Sequence, residues 1–366
     1  MSIIEVLFWI SLIPLVLFLL TAVYNYFTAP RLSVNKSSGE IPSVSILIPA
    51  RNEEENIEKC INSILKQSYK NFEIIVLDDN SEDATARLVE NFRTKNVSLI
   101  NGKSLPQNWL GKNWACFQLS KAAKGEILLF IDADVQLERD AVEAAVTELL
   151  KTKSEMLSVF PTQIISTFGE YLIVPLMNWL LLNFLPMRFI YSSKKKSFTA
   201  ANGQFILIRK EIYQLIGGHE SVKNKIVEDM ELARKLKVRG FRIITLLGAE
   251  LVYCRMYKDF KTSFLGFSKN FYFGFNNSPA AFIMLLLFIE IIFLLPLFFV
   301  FAEVQFLIPV LIIFLSRLLV AALSRQNIIA SVILHPIQMF MLFIVGINSV
   351  FQSVFGGSEW KGRQIN

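Results

Sequence analysis

Two stretches of this chain carry almost no charge. Met1–Phe27 holds only Glu5, and Ala280–Phe355 holds only Glu290, Glu303, Arg317 and Arg325. About 20 apolar residues cross a bilayer. Ile3–Phe27 is therefore long enough for one span, and Ala280–Ala302, Gln305–Leu323 and Ile328–Val354 for three more. The first run lacks a basic n-region and a small-x-small cleavage site, so it reads as a retained anchor rather than a signal peptide. Between the apolar ends lies a segment of ordinary mixed composition. The chain as a whole is 53% hydrophobic and 19% charged, against about 45–50% and about 25% for a soluble domain, and the excess sits at the two ends.

Charge placement orients the chain. Arg31 and Lys36 follow the first run, and Lys258, Lys261 and Lys269 precede the second. Basic residues favour the cytoplasmic face. The central segment is then cytoplasmic, Arg325 lies inside, Glu303 outside, and the protein is a multi-pass protein of the cell membrane. Four full spans would leave the basic tail Trp360-Lys361-Gly362-Arg363 outside. His335, Pro336, Gln338 and Asn348 in the last run keep a re-entrant alternative open. Glu290 and Arg317 are costly in lipid unless paired, and pairing with each other is the expectation. Phe168–Tyr191 is apolar but interrupted by Pro175 and Pro186, which favours a segment lying in the interface. The expected division is an anchor over 1–28, a central cytoplasmic domain over 29–275 with an interfacial segment at 168–191, membrane helices over 276–355 and a tail over 356–366.

Composition also excludes. The net charge is +6, yet no basic stripe with interleaved aromatics marks a nucleic-acid surface. Cys60, Cys116 and Cys254 are scattered, and with two His they read as buried thiols rather than a zinc site.

Strand and helix signals alternate in the middle. Ser43–Ile48, Glu73–Leu77, Val97–Asn101 and Glu126–Ile131 read as strands. Ile57, Cys60, Ile61, Ile64 and Leu65 recur at helical spacing. A helix capped by Asn80 or Ser81 carries Ala84, Leu88, Val89 and Phe92, and Trp109–Lys124 is helical up to Gly125. This is an α/β pattern with a mostly parallel sheet, in which ligands bind at the carboxyl ends of strands. The unusual polar residues follow those ends: Arg51-Asn52-Glu53, Asp78-Asp79 and Asp132-Ala133-Asp134.

No GxGxxG follows the first strand and no GxxxxGK[ST] occurs, so dinucleotide and P-loop phosphate cradles are missing. Phosphate must meet a metal or basic side chains instead. Asp132 and Asp134, two apart at a strand end, point the same way if the chain stays extended. They suit Mg²⁺ or Mn²⁺, which take carboxylates while keeping waters and substrate phosphates. Val227-Glu228-Asp229-Met230 opens a helix that ends at Gly240. Its acids serve either the helix dipole or as a general base for an acceptor hydroxyl.

Together these residues resemble the family-2 glycosyltransferases with a GT-A fold over roughly Val44 to Gly240. The motifs are Pro49-Ala50-Arg51-Asn52-Glu53-Glu54, Asp78-Asp79-Asn80-Ser81, Asp132-Ala133-Asp134 and Glu228-Asp229. The resemblance implies that Pro49, Arg51, Glu53 and Asp79 line a nucleotide pocket. It further implies that Asp134 with Asp132 holds a divalent metal and the nucleotide sugar, and that Asp229, beside Glu228, is the base of an inverting transfer. Leu105–Cys116, Gly217-Gly218-His219, Arg255-Met256-Tyr257 and Trp360–Arg363 look like carotenoid and polyisoprenoid-lipid glycosyltransferases. Lys112 and Arg255 are the candidate donor-phosphate contacts, and His219 is either near the metal or a bystander. The chain lacks the Gln-x-x-Arg-Trp signature of processive synthases, which argues for a single transfer. The reading is thus a membrane-bound enzyme using a nucleotide sugar, UDP-glucose by resemblance, and a lipid or isoprenoid acceptor. Ser192–Ser197, a basic loop, and Ala201–Gln204 are expected on the acceptor side. The alternatives are a polyprenyl-phosphate, diacylglycerol or sterol-like acceptor, a nucleotidyltransferase, and a non-enzymatic membrane scaffold.

Overall fold

The computed structural model describes residues 2–34, 41–93, 96–275 and 278–356, and the backbone of 359–360 and 363–364. Lys36, Lys361 and Gly362, used in the charge argument, lie outside the described residues. The strands are β1 (Val44–Ala50), β2 (Phe72–Asp78), β3 (Val97–Asn101), β4 (Ile127–Ile131), β5 (Val135–Leu137), β6 (Met156–Phe160), β7 (Thr162–Gln163), β8 (Phe205–Arg209), β9 (Ile243–Leu247) and β10 (Val252–Cys254). Seven form one sheet in the order β3-β2-β1-β4-β8-β6-β9, and β5-β10-β7 form a small second sheet. In the large sheet β8 alone runs antiparallel to its neighbours β4 and β6. The parallel pairs β1–β2, β2–β3 and β1–β4 put the carboxyl ends of four strands on one edge.

Alternation along β1 explains its layers. Ile46 and Ile48 pack with Ile57, Cys60 and Ile61 of the helix Ile57–Leu65. Leu47 points to the other face, against Ala115, Cys116 and Leu119 of the helix Gly111–Ala122. A parallel strand covered on both faces is apolar at every position, which is why the alternation in its sequence is so weak. The expected cap at Asn80 or Ser81 does not form. The helix Thr85–Glu90 has Ala84 at its N-cap position, and Ser81 Oγ instead accepts the N–H of Asn52 at 3.0 Å. Asp83 takes both tasks: its Oδ1 accepts the N–H of Thr85 at the helix start at 2.9 Å, and its Oδ2 accepts that of Glu54 in the loop after β1 at 3.1 Å.

Among the described residues four helices are apolar and long enough to cross a membrane: Ile3–Thr28, Pro279–Phe299, Val304–Leu323 and His335–Phe355. The 168–191 segment is broken into Phe168–Ile173, Pro175–Phe184 and Arg188–Ser192. It is fastened to the anchor through Asn25. That side chain donates to Leu182 O and Leu185 O, each at 2.8 Å, and accepts the N–H of Met187 at 2.8 Å.

The expected Glu290–Arg317 pair does not form. Arg317 Nε donates to His335 Nδ1 at 2.7 Å, and its guanidinium lies 4.7 Å from the Trp179 ring. Glu290 Oε1 is buried without a hydrogen-bond partner. The imidazole and the indole reach Arg317 first because Leu334 interrupts the last apolar run and brings His335 beside it.

That interruption also decides the course of the run. It enters beside the catalytic sheet, where Arg325 Nη2 meets Glu250 Oε1 at 2.6 Å. Ile328–Ile333 is a short helix and His335–Phe355 a long one. The long helix runs antiparallel to Pro279–Phe299. His335 Nε2 lies 3.2 Å from Phe293 O. Further on, a Cβ placed on Gly346 would stand 2.4 Å from Leu286 Cδ1, and Ser349 Oγ accepts the N–H of Tyr272 at 2.9 Å. The run therefore returns to the face it entered from, and the tail begins on the side of the catalytic sheet.

Candidate active site

The three acidic strand ends meet at one edge. Asp79 N donates to Ala50 O at 2.7 Å, joining the ends of β1 and β2. Arg51 is buried and donates through Nη1 to Asp79 O (2.8 Å) and Asn80 O (2.7 Å). It braces two loops with its charge-assisted bonds. Glu53 N donates to Thr85 Oγ1 at 2.8 Å, and Asn56 Nδ2 donates to Glu53 Oε2 at 2.9 Å. Pro49 sits one residue before the end of β1, paired in register with Leu77.

The centre of the site is a lysine among carboxylates. Lys112, on the second residue of the helix Gly111–Ala122, reaches Asp132 Oδ1 at 2.8 Å and Oδ2 at 2.9 Å, and Glu228 Oε1 at 3.4 Å. Burial pushes its ammonium down, but Asp132 and Glu228 more than offset this and hold it well above the ordinary lysine value. Asp229 opens the helix Glu228–Val238. Its Oδ2 accepts the N–H of Gly203 at 2.7 Å and its Oδ1 that of Met230 at 2.7 Å. Burial and then the Glu228 charge raise the Asp229 carboxyl to about 7. Gly203 lies close to both groups: a Cβ would stand 3.1 Å from Lys112 Nζ and 3.2 Å from Glu228 Oε1, so any side chain here would push on the cluster.

A model of glycosyl transferase family 2 matches residues 45–217. The 4,4'-diaponeurosporenoate glycosyltransferase of Staphylococcus haemolyticus is 30% identical over 260 residues, covering 69% of this chain and 67% of the relative. Its namesake in Staphylococcus aureus (strain USA300) is 31% identical over 223 residues, covering 59% of this chain and 57% of that one. The chain belongs to glycosyltransferase family 2. It is a glycosyltransferase, and its sheet is the GT-A sheet. A mannosyltransferase from Pyrobaculum calidifontis, solved in complex with GDP-Man and Mn²⁺, shares that fold with a TM-score of 0.53 at 17% identity, over 95% of this chain and 99% of the other.

In this family-2 glycosyltransferase Asp134 tests whether a divalent cation fits. Its Oδ1 is buried with no hydrogen-bond partner. Burial, then the charges of Asp132 and Glu53, raise its carboxyl to about 7. An orphaned carboxylate oxygen crowded by like charge is what a hard cation would relieve. Among the described residues no three His, Cys, Asp or Glu side chains form a ready cage. Two carboxylates completed by water and phosphate oxygens match the habits of Mg²⁺ and Mn²⁺, so the donor set fits.

Two sequence candidates stand apart from this cluster. Arg255 is half exposed at the rim, its Nε 3.7 Å from Glu170 Oε1. His219 is buried. Tyr213 Oη lies 2.9 Å from its Nδ1, and burial lowers it to about 3. It is a core residue, not a site residue.

Two residues escaped the sequence reading. Lys269, on the helix Phe260–Phe275, counted only as a basic flank; folded, it feels the charges of Glu228, Lys112 and Asp132. Gln204 Nε2 donates to Cys254 Sγ at 2.9 Å, and the Cys254 thiol favours the ionised form of Asp134. Neither Lys269 nor Cys254 belongs to a local motif, so only the tertiary fold could bring them in.

Proposed function

We propose that this glycosyltransferase moves one sugar from a nucleotide sugar, UDP-glucose by family resemblance, to a hydroxyl or carboxyl group of an isoprenoid lipid, with inversion. The observation that carries the reading is the convergence of Lys112, Asp132, Glu228 and Asp229 around Gly203, at the carboxyl edge of the parallel strands. The names of the two staphylococcal relatives support an acceptor of carotenoid type. The apolar helices support a multi-pass enzyme of the cell membrane. We read residues 29–275 as its cytoplasmic catalytic part, 168–191 as interfacial, 1–28 and 276–355 as membrane segments and 356–366 as a tail.

Asp132 and Asp134 would hold Mg²⁺ or Mn²⁺. That ion, when bound, supplies Lewis-acid stabilisation of the departing diphosphate. Pro49, Glu53 and Asp79 line the nucleotide side, and Arg51 keeps the two loops that carry them together. Arg255, at the rim and 3.7 Å from Glu170 through Nε, can offer its remaining N–H groups to a phosphate. Lys112 fixes Asp132 and Glu228 and presents an ammonium to the donor. Asp229, held by the N–H groups of Gly203 and Met230, keeps lone pairs to take the proton of an acceptor hydroxyl. Attack from that side, opposite the leaving diphosphate, inverts the anomeric carbon. A carboxylic acid acceptor would arrive already ionised and would need no base.

The test uses membranes carrying wild type, Asp134→Ala or Asp229→Asn, with UDP-glucose, Mn²⁺ and a lipid extract. Wild type is expected to label a lipid, and Asp134→Ala to abolish labelling. With a hydroxyl acceptor Asp229→Asn should cost about 10²–10⁴-fold while UDP still binds; with a carboxyl acceptor the loss should be small. A wild type that consumes no sugar nucleotide, or an active Asp134→Ala, would sink the reading. Mass spectrometry of the product separates a carotenoid from a polyprenyl phosphate or a glycerolipid.

A further inference from the structure

A collar of cations surrounds the end of the anchor helix nearest the catalytic sheet. Arg31, Arg188, Lys194, Lys195 and Lys196 are all exposed. None of the five forms a salt bridge with a described residue. Asn25, in the last turn of that helix, accepts the N–H of Met187 at 2.8 Å and so places Arg188 beside it. Aromatic rings lie between the cations. Tyr24 stands 5.8 Å from Phe189, and Phe189 stands 5.2 Å from Phe198. Phe27 is 78% exposed and Phe189 37%. Tyr26, 36% exposed, is of the type enriched at the membrane–water interface, where Lys and Arg also gather on the cytoplasmic side.

The backbone of the loop is held from within the protein while its three lysines stay exposed. Lys237, 6% exposed, donates to Ser193 O at 3.1 Å, to Lys195 O at 3.5 Å and to Phe198 O. Lys237 lies in the last turn of the helix whose first turn carries Asp229. The loop itself continues through Thr199 and Asn202 to Gly203, whose N–H holds Asp229.

We propose that Lys194, Lys195 and Lys196, with Arg31 and Arg188, dock on the anionic headgroups of the bilayer that carries the protein, and so seat the acceptor-side edge of the active site on the membrane surface. The inference uses the membrane reading of the chain but neither its donor nor its acceptor. A juxtamembrane Lys contributes about 1 kcal/mol near an anionic surface, or roughly fivefold in an equilibrium constant.

The test places the full chain, labelled at Ser197→Cys with an environment-sensitive fluorophore, in nanodiscs of phosphatidylcholine with or without phosphatidylglycerol. Ser197 is exposed, and the three native cysteines are buried. The label is expected to shift to an apolar signal only with phosphatidylglycerol, and to lose it in high salt. Each Lys→Gln change should weaken docking about fivefold, and the triple Lys→Arg variant should keep it. An equal shift in pure phosphatidylcholine, or no effect of the triple Lys→Gln variant, overturns the proposal. Reversal by millimolar inorganic phosphate at constant ionic strength would overturn it too, by making the loop a phosphate site rather than a membrane surface. Sugar-nucleotide turnover is read separately, so a failed donor or acceptor assignment leaves this result standing.

Discussion

At the scale of single residues, the site is a balance of carboxylates held by few cations. Lys112 pairs with both Asp132 and Glu228. Replacing it by Met leaves two partly buried carboxylates without their counter-ion, which costs about 3 kcal/mol, the low end for breaking a buried pair. The expected result is a lower melting temperature and weaker nucleotide-sugar binding, read by thermal shift with and without UDP. A stability unchanged by Lys112→Met would show that solvent already screens the pair. Asp229 gives a pH prediction. Its carboxyl is raised to about 7 by burial and by Glu228, so the base form is lost as pH falls below that value. With a hydroxyl acceptor and saturating divalent cation, kcat should fall about tenfold per pH unit on the acid side of about 7. A rate flat down to pH 5 would remove Asp229 from the base role. The motif acids stood out in sequence because Glu53, Asp79, Asp132 and Asp134 follow apolar strands and Glu228-Asp229 opens a helix. Lys269 and Cys254 were not, because their partners lie far along the chain.

Between elements, the contacts that matter are polar groups buried among apolar helices. Asn25 satisfies two carbonyls and one N–H where the 168–191 segment breaks at Pro186. Asn25→Leu would leave those three groups unpaired. At about 1–3 kcal/mol per buried polar group, this is one of the most destabilising single changes available in the membrane part. Thermostability in detergent should drop by several degrees, and Asn25→Asp should also lose stability, because it sets a buried carboxylate against the Leu182 and Leu185 carbonyl oxygens. No loss in Asn25→Leu would mean that water reaches the break. The interruption by Pro175 and Pro186 was readable from sequence. The partner Asn25 was not, because one Asn in an apolar run carries no address.

For the whole molecule, the orientation can be tested directly. Phe8 near the start of the anchor stacks edge-on at 5.7 Å against Phe306, so Glu303 lies at the end remote from the catalytic sheet. Arg325 meets Glu250 on the near side. A cysteine placed at Glu303 should react with a membrane-impermeant maleimide in intact cells. One placed at Arg325, or added after the last helix, should react only after permeabilisation. Labelling of the C-terminal cysteine from outside would refute the return of the last apolar run.

The sequence by itself determined the layers and the edge on which the acidic strand ends gather. Hydrophobic period and run length depend only on neighbours in the chain, and parallel strands necessarily gather their carboxyl ends on one side. It also determined the family, through four short motifs in order. Only the tertiary structure decided who partners whom. Arg317 meets His335 rather than Glu290, and Arg51 braces two loops. His219 sits in the core, and Leu334 divides a run of spanning length into a short and a long helix. Pairing between distant residues is set by the packing of whole elements, and no local pattern records it.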